Sequence, residues 1–218
     1  MTMIGTAGIA LILSVGALAA AGHEVSVAAI EGNVFITLAG GGRRQITFGG
    51  KDYDPSLSLD ERSVVFARAV QGPAVSTDAQ PRGPQDRSEL WIVRVDGSDP
   101  QRLFSGEVRE KDRRYVHFSV PHLSLNNRYV YFLIPYAVVI DALVRLDRTT
   151  SRVRILTPAE QFTLLDRGAY KGFLLVQKRA HEEQGLVYPF WLFSPNGEPI
   201  RKVADGEAGA VAFVQQNR

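Results

Sequence analysis

One segment of this chain occurs twice, and a repeated unit restricts the fold more than any other feature, because each copy must find equivalent surroundings. Residues 54–66 read DPSLSLDERSVVF and residues 120–132 read VPHLSLNNRYVYF. Pro55, Leu57, Ser58, Leu59, Arg62, Val64 and Phe66 return in one register as Pro121, Leu123, Ser124, Leu125, Arg128, Val130 and Phe132. Each copy is an alternating run, a polar pair (Asp60-Glu61 or Asn126-Asn127) and a β-branched, aromatic run. That is the pattern of two short strands joined by a tight turn, so the repeating unit is a β-hairpin.

A second kind of hairpin lies between these. It reads Val34 to Leu38 and Arg43 to Phe48 around Ala39-Gly40-Gly41-Gly42, and the pattern returns over residues 90–104, 142–157 and 189–203. The copies are roughly fifty residues apart, close to the period of propeller blades. A worn copy of the first hairpin, FTLLDRGAYKGFLLV, occupies residues 162–176, and single strand candidates remain at residues 24–30 and 210–214. Pairing those two strands would close a ring and remove its exposed edges. The sequence therefore predicts an all-β fold, a β-propeller of four blades of four antiparallel strands, closed by its N- and C-terminal strands.

The first hairpin resembles the TolB-like, WD-repeat-like β-propeller repeat, whose form is P-x-W-S-P-D-G-x-x-I-A-F. Pro55 and Pro121, Ser58 and Ser124, the basic Arg62 and Arg128 and the closing Phe66 and Phe132 match it. Leu57 and Leu123 stand where that family has Trp, Leu59 and Leu125 stand for Pro, and neither turn has a Gly. The resemblance implies a periplasmic protein-interaction role.

Residues 1–21 are apolar and small, with no charged side chain, and the residues before His23 fit cleavage after Ala19, Ala21 or Gly22. This predicts a signal peptide over residues 1–22, with an N-terminal anchor as the alternative, followed by a propeller domain over residues 23–218. A periplasmic or secreted location follows, with no integral membrane association if the signal is cleaved. Charged residues at 22% and apolar residues at 45% argue against wholesale disorder and against a polytopic membrane protein. A net charge of +2 offers no basis for nucleic-acid binding. The absence of cysteine excludes disulfides, thiolate metal sites, cysteine nucleophiles and a lipid-anchoring Cys.

Chemistry-bearing motifs are few. Asp96-Gly97-Ser98-Asp99 reads as a hairpin turn rather than a calcium loop, since it lacks the further carboxylates of one. The four histidines are too scattered for a zinc site. No G-x-S-x-G elbow and no phosphate-binding glycine loop is present. Neither a metal nor a cofactor is expected.

Two sets of residues are candidates for function. Ser56, Ser58, His122 and Ser124 would line the central channel, where a hydrolase or lyase would need convergent titratable groups. The long connections at residues 70–88, 106–114, 135–141 and 179–185 would share the face opposite the short turns. Arg82, Arg87, Arg109, Arg113, Arg114 and Tyr136 on that face are the binding candidates, because Arg and Tyr are enriched at binding hot spots. The expected function is an exported, non-enzymatic binding module for another protein or a cell-envelope component. A channel enzyme is the alternative.

Overall fold

A computed structural model describes residues 25–70, 87–137, 139–183 and 185–217. β1 (Ser26–Ile30), β2 (Asn33–Thr37) and β3 (Arg43–Gln45) form a three-stranded antiparallel meander. β4 (Asp52–Leu57), β5 (Ser63–Val70), β6 (Arg87–Arg94) and β7 (Gln101–Phe104) form the second sheet, in that order. A small hairpin follows, β8 (Val108–Glu110) with β9 (Arg113–Tyr115). β10 (Ser119–Leu123), β11 (Tyr129–Ala137), β12 (Ile140–Asp147) and β13 (Arg152–Ala159) make the third sheet. The fourth begins with β14 (Gln161–Leu164) and β15 (Leu174–Gln177). After a second small hairpin, β16 (Ala180–Glu182) with β17 (Gly185–Val187), it ends with β18 (Phe190–Phe193) and β19 (Pro199–Ala204). The chain closes on helix α1 (Glu207–Gln216).

The central strands explain why the sheets stack. Successive side chains of a strand point to opposite faces, and β5 sends Val64 and Phe66 into an apolar layer with Val34 and Ile36 of the first sheet. Its Val65 enters a different layer, with Phe118, Phe132 and Val144 around the third sheet. β11 behaves in the same way. Val130, Phe132 and Ile134 face the second sheet, whereas Tyr129, Tyr131 and Leu133 meet Phe162, Leu174 and Phe193 of the fourth. The four sheets are thus packed face to face in chain order, as the blades of a propeller are.

The two repeat copies fold alike to the individual hydrogen bond. Ser58 N–H donates to Ser63 O and Ser124 N–H to Tyr129 O. The Ser58 hydroxyl donates to Asp60 Oδ1 at 2.6 Å and accepts from Ser63 N–H at 3.0 Å; the Ser124 hydroxyl does the same with Asn126 Oδ1 at 2.8 Å and Tyr129 N–H at 2.9 Å. Where the resembled family places Gly, Glu61 and Asn127 each hold a left-handed backbone with φ of 56°.

Neighbouring blades are also latched at their turns. Arg44 of β3 donates to Val95 O of the β6–β7 turn at 2.6 Å. Tyr131 and Arg145 of the third sheet donate to Pro195 O and Asn196 O in the β18–β19 turn. Between the second and third sheets, Ser56 Oγ donates to Pro121 O at 2.5 Å and Asn127 Nδ2 to Asp60 Oδ2 at 2.9 Å.

The expected ring closure is corrected by the structure. Residues 210–214 are not a strand but part of α1, and β1 pairs with β2 alone. The run AVAFV is too short for its period to separate strand from helix. Glu207 in the first turn favours the helix dipole, and Ala210 and Phe213, one helical turn apart, bury against Leu165, Leu175 and Phe190. The described residues therefore comprise three sheets of four strands, one of three and two small hairpins, with no strand pairing between the first and the fourth large sheet.

Candidate functional site

Antiparallel alternation fixes two faces. The β2–β3, β4–β5, β6–β7, β10–β11, β12–β13, β14–β15 and β18–β19 turns emerge on one face, and the remaining connections emerge on the other. The expected grouping of long segments on the second face is corrected in part: residues 135–141 are a tight turn, since Pro135 pairs with Asp141 and Ala137 with Ile140, and the nine residues between β14 and β15 make a longer connection on the first face. Residues 71–86, and with them Arg82, lie outside the described residues.

The innermost strands enclose a cavity of about 580 Å³ that opens among the short turns, lined by Val25, Leu57, Ser58, His122, Thr163 and Val214. Glu61, Asp166, Arg167 and Lys171 stand around it. Of the channel candidates, Ser58 and His122 line this cavity. Ser56 and Ser124 do not; both are buried, and their hydroxyls are committed to Pro121 O and to the turn of the repeat. The Ser58 hydroxyl is likewise engaged by its own turn, which holds the Asp60 carboxyl below the usual carboxylate range. His122 is half-buried, edge-on to Phe162 at 5.3 Å between ring centroids, and withdrawal from water pushes its pKa down to about 4. At neutral pH the cavity presents a neutral imidazole.

On the opposite face, residues 106–114 are not an irregular loop. Glu110 pairs with Arg113, Arg109 with Arg114 and Val108 with Tyr115 across the β8–β9 hairpin. Val108 and Tyr115 are buried in the layer between the second and third sheets, which anchors the hairpin. Tyr115 stacks on Tyr136 at 5.9 Å, Arg113 donates to Tyr136 O at 3.4 Å, and a hydrogen bond to Glu110 raises the Tyr136 pKa. Alternation then leaves Arg109 and Arg114 side by side on the solvent face of the ribbon. Arg109 is held by Glu107 at 2.9 Å and is 65% exposed at its side chain. Arg87 lies at the start of β6, with its guanidinium 3.5 Å from Ser105 O. Arg109, Arg113, Arg114 and Tyr136 are thus brought into one hairpin-centred cluster.

A polar group on the same face has no signature in the sequence. The Tyr53 hydroxyl donates to Phe118 O at 2.8 Å and lies 2.5 Å from Ser88 Oγ, which in turn is 3.3 Å from His117 Nδ1. The rings of Tyr53 and His117 are stacked at 5.9 Å. These residues are distant in sequence and belong to β4, β6 and the segment before β10, so only the fold brings them together. Among the described residues, no cluster of three or more His, Asp or Glu could hold a metal ion, and Asp96 binds Ser98 within its own turn.

Three four-stranded meanders and a three-stranded one, stacked through apolar layers, define an all-β chain of propeller-type blades. No protein-family model matches the chain, and no curated protein matches it. Among solved structures it is similar to dipeptidyl peptidase 4 of Porphyromonas gingivalis, with 11% identity, a TM-score of 0.49, and coverage of 84% of this chain and 31% of that one. It is also similar to a putative TolB of Agrobacterium tumefaciens, with 14% identity, a TM-score of 0.44, and coverage of 80% and 58%. TolB of Acinetobacter baumannii follows with 16% identity, a TM-score of 0.34, and coverage of 78% and 49%. The chain spans between 31% and 58% of the length of these structures. The blade assignment rests on the sheets and the layers between them.

Proposed function

We propose that this chain is an exported binding module of the cell envelope that engages another protein through the face carrying the β8–β9 hairpin. The observation that carries this reading is the hairpin itself. Its inner face is fixed in the core by Val108 and Tyr115, and its outer face presents Arg109 beside Arg114. A rigid ribbon with exposed arginines costs little conformational entropy on binding. The fold-level resemblance to TolB-like repeats fits such a role without assigning it.

The test is affinity capture from envelope extract of the protein's own source, comparing the wild type with an Arg109→Ala, Arg114→Ala double variant. Capture of the same partner should fall about tenfold or more in the variant, as for a hot-spot truncation. Unchanged capture, with loss in an Arg167→Ala, Lys171→Ala variant, would move recognition to the short-turn face. Export is tested separately: mass spectrometry of the periplasmic or secreted form should give a mature N-terminus between Ala20 and His23. Full-length protein in the cytosol would reject it.

The alternative, a hydrolase or lyase acting in the channel, draws on the cavity and the neutral imidazole of His122. His122→Ala would abolish such an activity. It would leave the hairpin-dependent capture intact.

A further inference from the structure

The first sheet has three strands where each of the other large sheets has four, and the turn alternation shows which one is lacking. The β2–β3 turn sits on the short-turn face, as the outer hairpin of every blade does. The β1–β2 turn therefore sits on the other face, where Asp52 N–H donates to Gly32 O at 2.7 Å and Gly50 N–H to Asn33 Oδ1 at 2.9 Å. β1 is thus the second strand of its blade, and the innermost position beside it is open among the described residues. α1, the element expected there, is packed instead on the fourth sheet.

The edge that the described residues leave open can be resolved to single backbone groups. Val34 pairs with Ala29 in the β1–β2 ladder, yet its carbonyl accepts from Ile46 N–H at 2.8 Å and its N–H donates to the Thr47 hydroxyl at 2.8 Å. Both polar groups of Val34 thus turn away from β1, which makes Ala29–Val34 a pair without hydrogen bonds between its members. The N–H and C=O of Ala29, and by alternation those of Val27, point off the open edge. Ser26, Ala28 and Ala29 are exposed, and Val25, directly before β1, lines the 580 Å³ cavity together with Leu57, Leu59 and Val214.

We propose that this edge takes an extended segment of a partner protein as the fourth, innermost strand of the first blade. An unpaired strand edge binds by backbone hydrogen bonds, and adjoining pockets select alternate side chains. Here the edge offers the Val27 and Ala29 groups, and the cavity offers apolar walls at Leu57, Leu59 and Val214. The fitting segment is extended and carries apolar residues at every second position. The chain shows that chemistry in its own innermost strands, where Pro55, Leu57 and Leu59 recur as Pro121, Leu123 and Leu125. This surface is separate from the β8–β9 hairpin, so its failure would leave the hairpin reading standing.

The probe is a fluorescein-labelled peptide of residues 52–59 (DYDPSLSL), titrated with the full chain and followed by fluorescence anisotropy. Saturable binding is expected, with loss of about tenfold or more in Ala29→Pro. Proline there removes an N–H that points off the edge and leaves the β1–β2 ladder bonds in place. Equal thermal unfolding of the two proteins shows that the fold is kept. A second arm keeps the protein wild type and N-methylates alternate amides of the peptide, in both alternations; one of the two should fail to bind. Binding indifferent to Ala29→Pro and to both methylation patterns would overturn the proposal, as would no binding by folded wild type. A concentration-dependent dimer of the wild type that Ala29→Pro abolishes would overturn it in favour of edge pairing between two copies.

Discussion

Gly32→Ala and Gly41→Ala form a matched pair in the first blade. Gly32 lies in the β1–β2 turn with φ of 72°, and Gly41 in the β2–β3 turn with φ of 79°. Both substitutions place an L side chain in a left-handed backbone, at about 1–2 kcal/mol. Their surroundings differ. A Cβ on Gly41 meets nothing within 4 Å, whereas one on Gly32 would lie 2.3 Å from Gly50 O and 2.9 Å from Lys51 N. These are backbone atoms and cannot swing aside as a side chain would, so the link between the first and second sheets must move. Overpacking of this kind adds about 1–3 kcal/mol. The displacement also threatens the hydrogen bond from Asp52 N–H to Gly32 O, worth about 1 kcal/mol. Urea unfolding should therefore show Gly32→Ala less stable than Gly41→Ala by at least about 2 kcal/mol, with the m-value unchanged. Equal losses in the two variants would refute the close approach of the β1–β2 turn to the chain entering β4.

Three further outcomes are expected. Glu61→Gly relieves a left-handed non-glycine residue and should stabilise the protein by up to about 1 kcal/mol, read as a rise in unfolding temperature. Ser58→Ala and Ser124→Ala each orphan a strand N–H and remove a bond to the turn, so urea titration should show similar losses of about 1–3 kcal/mol from both. His122 has a folded pKa of about 4 against an ordinary value of 6.5, so the unfolded chain takes up a proton that the folded chain refuses. Stability should fall from pH 6.5 to pH 4, by up to about 3 kcal/mol. His122→Gln should show a shallower fall over the same window in parallel urea titrations.

The hairpins were legible in the sequence because their signals are local: alternating runs, polar turn pairs and a segment repeated in one register. β4 with β5, β10 with β11 and the outer hairpins all stand where those signals place them. The closing strand was not legible, since the five residues 210–214 satisfy either period and only burial against Leu175 and Phe190 settles the helix. Channel-lining was half legible. His122 points into the cavity as expected, but Ser56 and Ser124 are consumed by bonds that no spacing announces. The Tyr53, Ser88 and His117 group had no signal at all, being assembled from two strands and a connection far apart in the sequence.

The two-sided burial of β5 and β11 has one more consequence. A strand with one wet face is indexed by polarity, because a slip of one residue would drown its charges and expose its core. Residues 64–67 and 129–134 carry no such index, being buried between both neighbouring layers. What fixes their register must lie outside them, and the hydroxyl of Ser58 or Ser124, clamped onto the first N–H of the returning strand, does so. The repeated turn is then a ruler: it sets the zero from which Phe66 and Phe132 are each delivered to the correct layer.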